Sequence, residues 1–117
     1  MSRTVWALVL KFALTFVAAW IAFKGLGRNT FGSIALVAVL GTALNYIVGD
    51  LGVLPRYGNV TAAAGDGVLA ALTAYVVDAA AYRFNTTFGS LVLFGVIVAV
   101  AEYFFHQFLL RTKDVAP

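Results

Sequence analysis

The chain has 117 residues, 62% of them hydrophobic and 11% charged, with a net charge of +3 and no cysteine. Soluble domains are about half apolar and a quarter charged, so this composition belongs to the bilayer, and four crossings of about 20 residues leave no room for a soluble domain. Disulfides, thiolate metal sites and cysteine nucleophiles are excluded, and the scattered basic residues form no run or aromatic-flanked face of the kind that holds nucleic acid. The positive charge is read as anchoring to anionic headgroups.

The first predicted element runs over residues 5–23, apolar apart from Lys11 and Thr15, and Lys24-Gly25-Leu26-Gly27-Arg28-Asn29 ends it. A signal peptide is the competing reading of this segment, outweighed by its continuation into three more apolar stretches. The second element, 31–54, carries no charge from Phe31 to Gly49 and is stopped by Pro55 and Arg56. The third, 60–81, is rich in Ala and Gly and contains Asp66. The fourth, 88–110, is interrupted by Glu102, His106 and Gln107 and closed by Arg111 and Lys113.

These lengths and terminators predict an all-α protein, a four-transmembrane-helix bundle forming a single transmembrane domain over residues 1–117. Barrel strands would instead alternate over about 10 residues. An even number of crossings puts both termini on one side, with Arg3, Arg56, Arg111 and Lys113, against Lys24, Arg28 and Arg83 on the other. That margin favours cytoplasmic termini in a bacterial plasma membrane and leaves dual topology as the alternative. Trp6, Trp20, Tyr46, Tyr57, Tyr82 and Tyr103 fall toward span ends as an aromatic belt. Asn59-Val60-Thr61 and Asn85-Thr86-Thr87 match the glycosylation sequon but occupy short turns at the membrane surface, where chance matches are expected.

The polar residues inside the spans can be given depths. At 1.5 Å per residue from the side holding the termini, Lys11 and Asp66 lie about 9 Å deep, Asp50 and His106 about 6 Å, Glu102 about 12 Å and Asn45 about 14 Å. They form one polar layer in one half of the bilayer. Gly95, Ala99, Glu102 and His106 share a stripe on the fourth helix, as Thr4, Lys11 and Thr15 do on the first, while Ala62, Ala63, Asp66, Ala70, Thr73 and Val77 make the third helix the centre of the bundle. Asp50 fits poorly, about 100° from Gly49 in an ideal helix, unless Gly49, Gly52 and Pro55 loosen the last turns and re-aim it.

A buried charge costs several kcal/mol unless it is paired, hydrated or neutralised. Equal depth pairs Lys11 with Asp66, Asp50 is expected to reach the loop residue Arg56, and Glu102 sits one turn from His106. With three acids facing Lys11, one carboxylate is expected to carry a proton. Glu102-x-x-x-His106 with Asp66 or Asp50 could supply metal ligands, but a single histidine without cysteine is a weak pattern, and no metal or cofactor is assigned. Asp78 near Tyr82 and Arg83 reads as a surface ion pair.

The block YIVGDLGVLPRYGNVTAAAGDG, residues 46–67, resembles the hallmark segment of the YndM-like family of small bacterial membrane proteins, a domain of unknown function. Tyr46, Gly49, Asp50, Leu54, Pro55, Arg56, Asn59 and Asp66 carry the match, and Lys11-Phe12 in the first helix is similar. The resemblance implies a four-helix integral membrane protein, usually of spore-forming Gram-positive bacteria, and implies no activity.

No nucleophile stands with a positioned histidine and acid, and no nucleotide motif is present, so enzyme activity is not expected. The leading expectation is a structural or accessory membrane subunit with a buried polar layer. A small proton- or cation-coupled transporter or channel, acting as an oligomer, is the alternative, and a lipid-binding role is a third. The expected partners are the lipid bilayer and either a second copy, as a dimer, or another membrane protein.

Overall fold

A computed structural model describes residues 3–24, 29–80 and 84–111. The segment Gly25–Arg28, Tyr82, Arg83 and Lys113, to which the sequence assigns turns and interfacial charges, lie outside the described residues.

Four helices are long and apolar enough to cross a membrane, over Val5–Lys24, Phe31–Gly52, Asn59–Ala80 and Phe88–Gln107. The first span is α1, Arg3–Ala19, continued by a π-helical turn over Trp20–Lys24. The second is α2, Phe31–Leu44, which passes into a π-helical segment over Asn45–Val53 and then the short α3, Leu54–Tyr57. The third is α4, Asn59–Ala80, and the fourth is α5, Phe88–Arg111. Gly58, at φ +89°, makes the sharp link between α3 and α4, a conformation that side chains rarely adopt.

α4 is the most enclosed of the four, and Ala62, Ala63, Asp66, Gly67, Ala70, Thr73, Ala74 and Val77 are buried along it. Its small residues let α5 approach closely. A Cβ built on Gly67 would stand 2.5 Å from the Gly95 carbonyl oxygen, and one on Gly95 would stand 3.0 Å from the Gly67 carbonyl oxygen. Packing of this kind substitutes for the hydrophobic drive that is absent between helices in lipid.

The two hairpins are joined at the end remote from the termini. The Asn29 side chain donates to the carbonyls of Phe23 (3.2 Å) and Asn85 (2.8 Å) and accepts from the Asn85 amide (2.8 Å). The helices that leave this end both open on Thr-Phe-Gly-Ser, at residues 30–33 and 87–90. Thr30 Oγ1 accepts from the Ser33 amide at 3.2 Å, while Thr87 and Ser90 cap one another reciprocally at 3.0 and 2.8 Å. Each satisfies backbone N–H groups that the first helical turn leaves without partners. Asp78 belongs to the same end and accepts from the Thr86 amide (3.0 Å) and hydroxyl (2.5 Å).

The interior is divided along its length. Toward the Asn29 end it is apolar, built on Ala18, Ala19, Ala22, Phe23, Ile34, Val37, Ala70, Ala74, Val77, Phe84, Phe94 and Val98, with Phe23 ringed by Phe84 and Phe94 at centroid distances of 5.1 and 4.9 Å. Toward the other end it encloses Lys11, Asp50, Asp66, Glu102 and His106. Large apolar side chains face outward instead, among them Trp6, Val17, Ile47, Val68, Val96 and Phe104. Apolar outside and charged inside is the arrangement a lipid solvent selects.

Candidate functional site

The charged half of the interior receives side chains from all four spans. Lys11 comes from α1, Asp50 from the π-helical segment, Asp66 from α4, and Glu102 and His106 from successive turns of α5. Lys11, Asp50 and His106 are fully buried, and Asp66 and Glu102 are 1% exposed.

Lys11 Nζ lies 2.6 Å from Glu102 Oε2 and 3.1 Å from Asp50 Oδ2, with the Phe105 ring centroid 5.3 Å away as a further cation surface. His106 Nε2 lies 3.0 Å from Asp50 Oδ1, 3.0 Å from Asp66 Oδ2 and 3.2 Å from Glu102 Oε2. Asp50 and Glu102 therefore bridge Lys11 and His106, while Asp66 reaches the cluster through His106. Asp50 Oδ2 and Asp66 Oδ2, although at ion-pair distance, receive no hydrogen bond.

The partners differ from the sequence expectation in two respects. Lys11 pairs with Glu102 and Asp50 rather than Asp66, since its long side chain spans the small differences in counted depth. Arg56 is exposed in α3, and Asp50 is taken up by Lys11 and His106 instead of by Arg56. The cause is the π-helical segment. Its i→i+5 bonding turns the chain less per residue than an α-helix does, so Asp50 comes round toward the face of Asn45 and Gly49. Gly49 makes room at that face, since a Cβ there would collide with Asp66 Oδ1.

Asn45 is fully buried, but neither its side-chain nitrogen nor its oxygen has a hydrogen-bond partner, and the same is true of Thr42 Oγ1 one turn earlier. Asn45 therefore lies next to the cluster along the second span without joining its hydrogen bonds.

Asn59 is a member of the site that the sequence reading sets aside as a sequon asparagine. Its side-chain nitrogen donates to the Tyr103 carbonyl at 2.9 Å, which turns its oxygen toward His106 Nδ1 at 3.0 Å. An amide oxygen only accepts, so Nδ1 carries the hydrogen and Nε2 is the nitrogen facing the carboxylates. The signal available in sequence is its place at the start of α4, one turn before the buried face on which Asp66 lies.

Two grooves border this region. One of about 380 Å³ lies on the seam of the second and third spans and includes Gly49, Gly65 and Asp66 in its lining. Another of about 480 Å³ follows α4 and α5 past Gly67 and Gly95 and is wholly apolar.

Fold and site together define a small multi-pass membrane protein with an ionisable cluster enclosed in its helical bundle. The chain belongs to the family described as protein of unknown function (DUF2512), which matches residues 2–115. It is also 31% identical over 106 residues to the uncharacterized membrane protein YndM of Bacillus subtilis (strain 168). That alignment takes in 90% of this chain and 59% of the Bacillus protein, so the chain spans about three-fifths of its relative's length. No solved structure matches the chain.

Proposed function

We propose that the protein is a structural or accessory subunit of the bacterial plasma membrane, with termini on the cytoplasmic side, and that the charged cluster is the clasp fixing its four spans in register. The observation that carries this reading is that each span contributes an ionisable side chain to one buried network. A buried ion pair adds little net stability over an apolar pair of the same shape, but losing one partner leaves a charge stranded in a medium that cannot solvate it. Such a network penalises every alternative register or pairing of the helices. A reporter fused to the C-terminus tests the orientation, and equal signal from both sides of the membrane would replace it with dual topology.

The second reading, a proton- or cation-coupled transporter, is favoured by the groove that reaches Asp66 between the second and third spans. Liposomes containing wild type, Asp66→Asn and Asp50→Asn separate the two. The clasp reading expects no proton or cation flux above empty liposomes from wild type, and reduced folding yield in both variants. Flux in the wild type that either substitution abolishes would overturn it in favour of transport.

A further inference from the structure

His106 Nε2 is crowded by three carboxylate oxygens at 3.0, 3.0 and 3.2 Å. An imidazole nitrogen carries at most one hydrogen, so it cannot donate properly to all three. Asp66 Oδ2, one of the three, receives no hydrogen bond although it is buried, and neither does Asp50 Oδ2 on the side facing Lys11.

The second observation lies outside the cluster. The Asn59 amide, held by the Tyr103 carbonyl, requires the hydrogen on Nδ1. With Nδ1 so occupied, Nε2 faces three carboxylates and needs positive charge there, either a second proton on the ring or a cation between the ring and the carboxylates. A ring nitrogen hydrogen bonded on its far side to an oxygen is the usual support of a metal-ligating histidine.

We propose that Asp50, Asp66, Glu102 and His106 form a binding site for one divalent first-row transition-metal ion, with Asn59 as the residue that positions His106. The inference rests on the clasp reading and extends it, since the ion would complete the link between the second, third and fourth spans. One donor atom from each of the four residues lies within 4.8 Å of the others. Zinc-like bonds of about 2.0–2.1 Å in a tetrahedron separate neighbouring donors by about 3.3 Å. The three distances from Nε2 already stand close to that edge.

Charge favours the same conclusion. Three carboxylates and Lys11 sum to −2, so a divalent ion with a neutral His106 brings the set to zero. The nitrogen donor selects against calcium and magnesium, which take oxygen ligands. The groove bearing Gly49, Gly65 and Asp66 supplies a side from which the site can be reached.

The test uses the full chain in nanodiscs, stripped with chelator and titrated with Zn²⁺ or Co²⁺. The expected result is one ion per chain and, for cobalt, the intense visible absorption of a four-coordinate ion. Asp66→Asn and His106→Gln should lower affinity by about 100-fold or more, and Asn59→Ala by about 10–100-fold with helix content unchanged. Asp78→Asn, at the other end of the bundle, should leave affinity unchanged. Wild type that retains no metal after gel filtration, or that gives only the weak spectrum of a hydrated ion, overturns the proposal without any variant having to fold. Equal affinity in wild type and Asn59→Ala overturns the positioning role. A flat titration in a protein that still depends on Lys11 for stability would sink the metal site and leave the clasp standing.

Discussion

Asp50 and Gly49 are chain neighbours with different tasks. Asp50 brings charge to Lys11 and His106, and Gly49 leaves the space in which the Asp66 carboxylate rests. In a helix interior alanine is ordinarily favoured over glycine by about 1 kcal/mol, so a loss on Gly49→Ala reports the contact and not helix propensity. Gly49→Ala is expected to lower stability by about 1–3 kcal/mol, the usual cost of overpacking. Gly52→Ala serves as the control, since a Cβ there meets nothing nearer than the Ile47 carbonyl oxygen at 3.8 Å. Denaturant titration in micelles compares them, and equal stability would contradict the placement of Asp66 against Gly49. The sequence reveals Lys11, Asp50, Asp66, Glu102 and His106 because each is ionisable in an apolar stretch. Their pairings are not legible, because a count of depths assumes straight, untilted α-helices. Asn59 is concealed for another reason, since a turn asparagine looks the same whether or not it supports a histidine.

The four spans are legible at the scale of elements, since each is a long apolar run ended by glycine, proline or charge. The π-helical segment over Asn45–Val53 is legible only as a misfit, in the poor angle that an ideal helix gives Asp50. Segments of this type are rare and recur at functional sites, because they rotate a side chain to a face the α-helix would deny it. Helix starts follow simpler chemistry. Thr87 and Ser90 exchange hydrogen bonds at the start of α5, so Thr87→Ala should cost about 1 kcal/mol. The same substitution at Thr86 would instead remove a partner of Asp78. Thermal unfolding in micelles followed by circular dichroism checks the Thr87 effect, and an unchanged midpoint would show that the cap contributes nothing.

Across the whole molecule, a soluble protein's plan is reversed: apolar side chains face outward and the largest group of charges is enclosed. The Asn29 end is held by apolar packing and by the link to Asn85, while the other end depends on the charged cluster. This division is partly legible in the sequence, which places every intramembrane charge in one half of the bilayer. It does not reveal that one network joins all four spans, because that depends on which faces meet. Lys11 is the hub between α1 and the rest of the cluster, bonded to Glu102 and Asp50. The most direct test of the clasp is therefore the unfolding free energy of Lys11→Met against wild type, measured in chelator so that no metal contributes. A loss of about 3–5 kcal/mol is expected, the cost of stranding buried carboxylates by removing their partner. A change within about 0.5 kcal/mol, the range of an ordinary surface substitution, would contradict it.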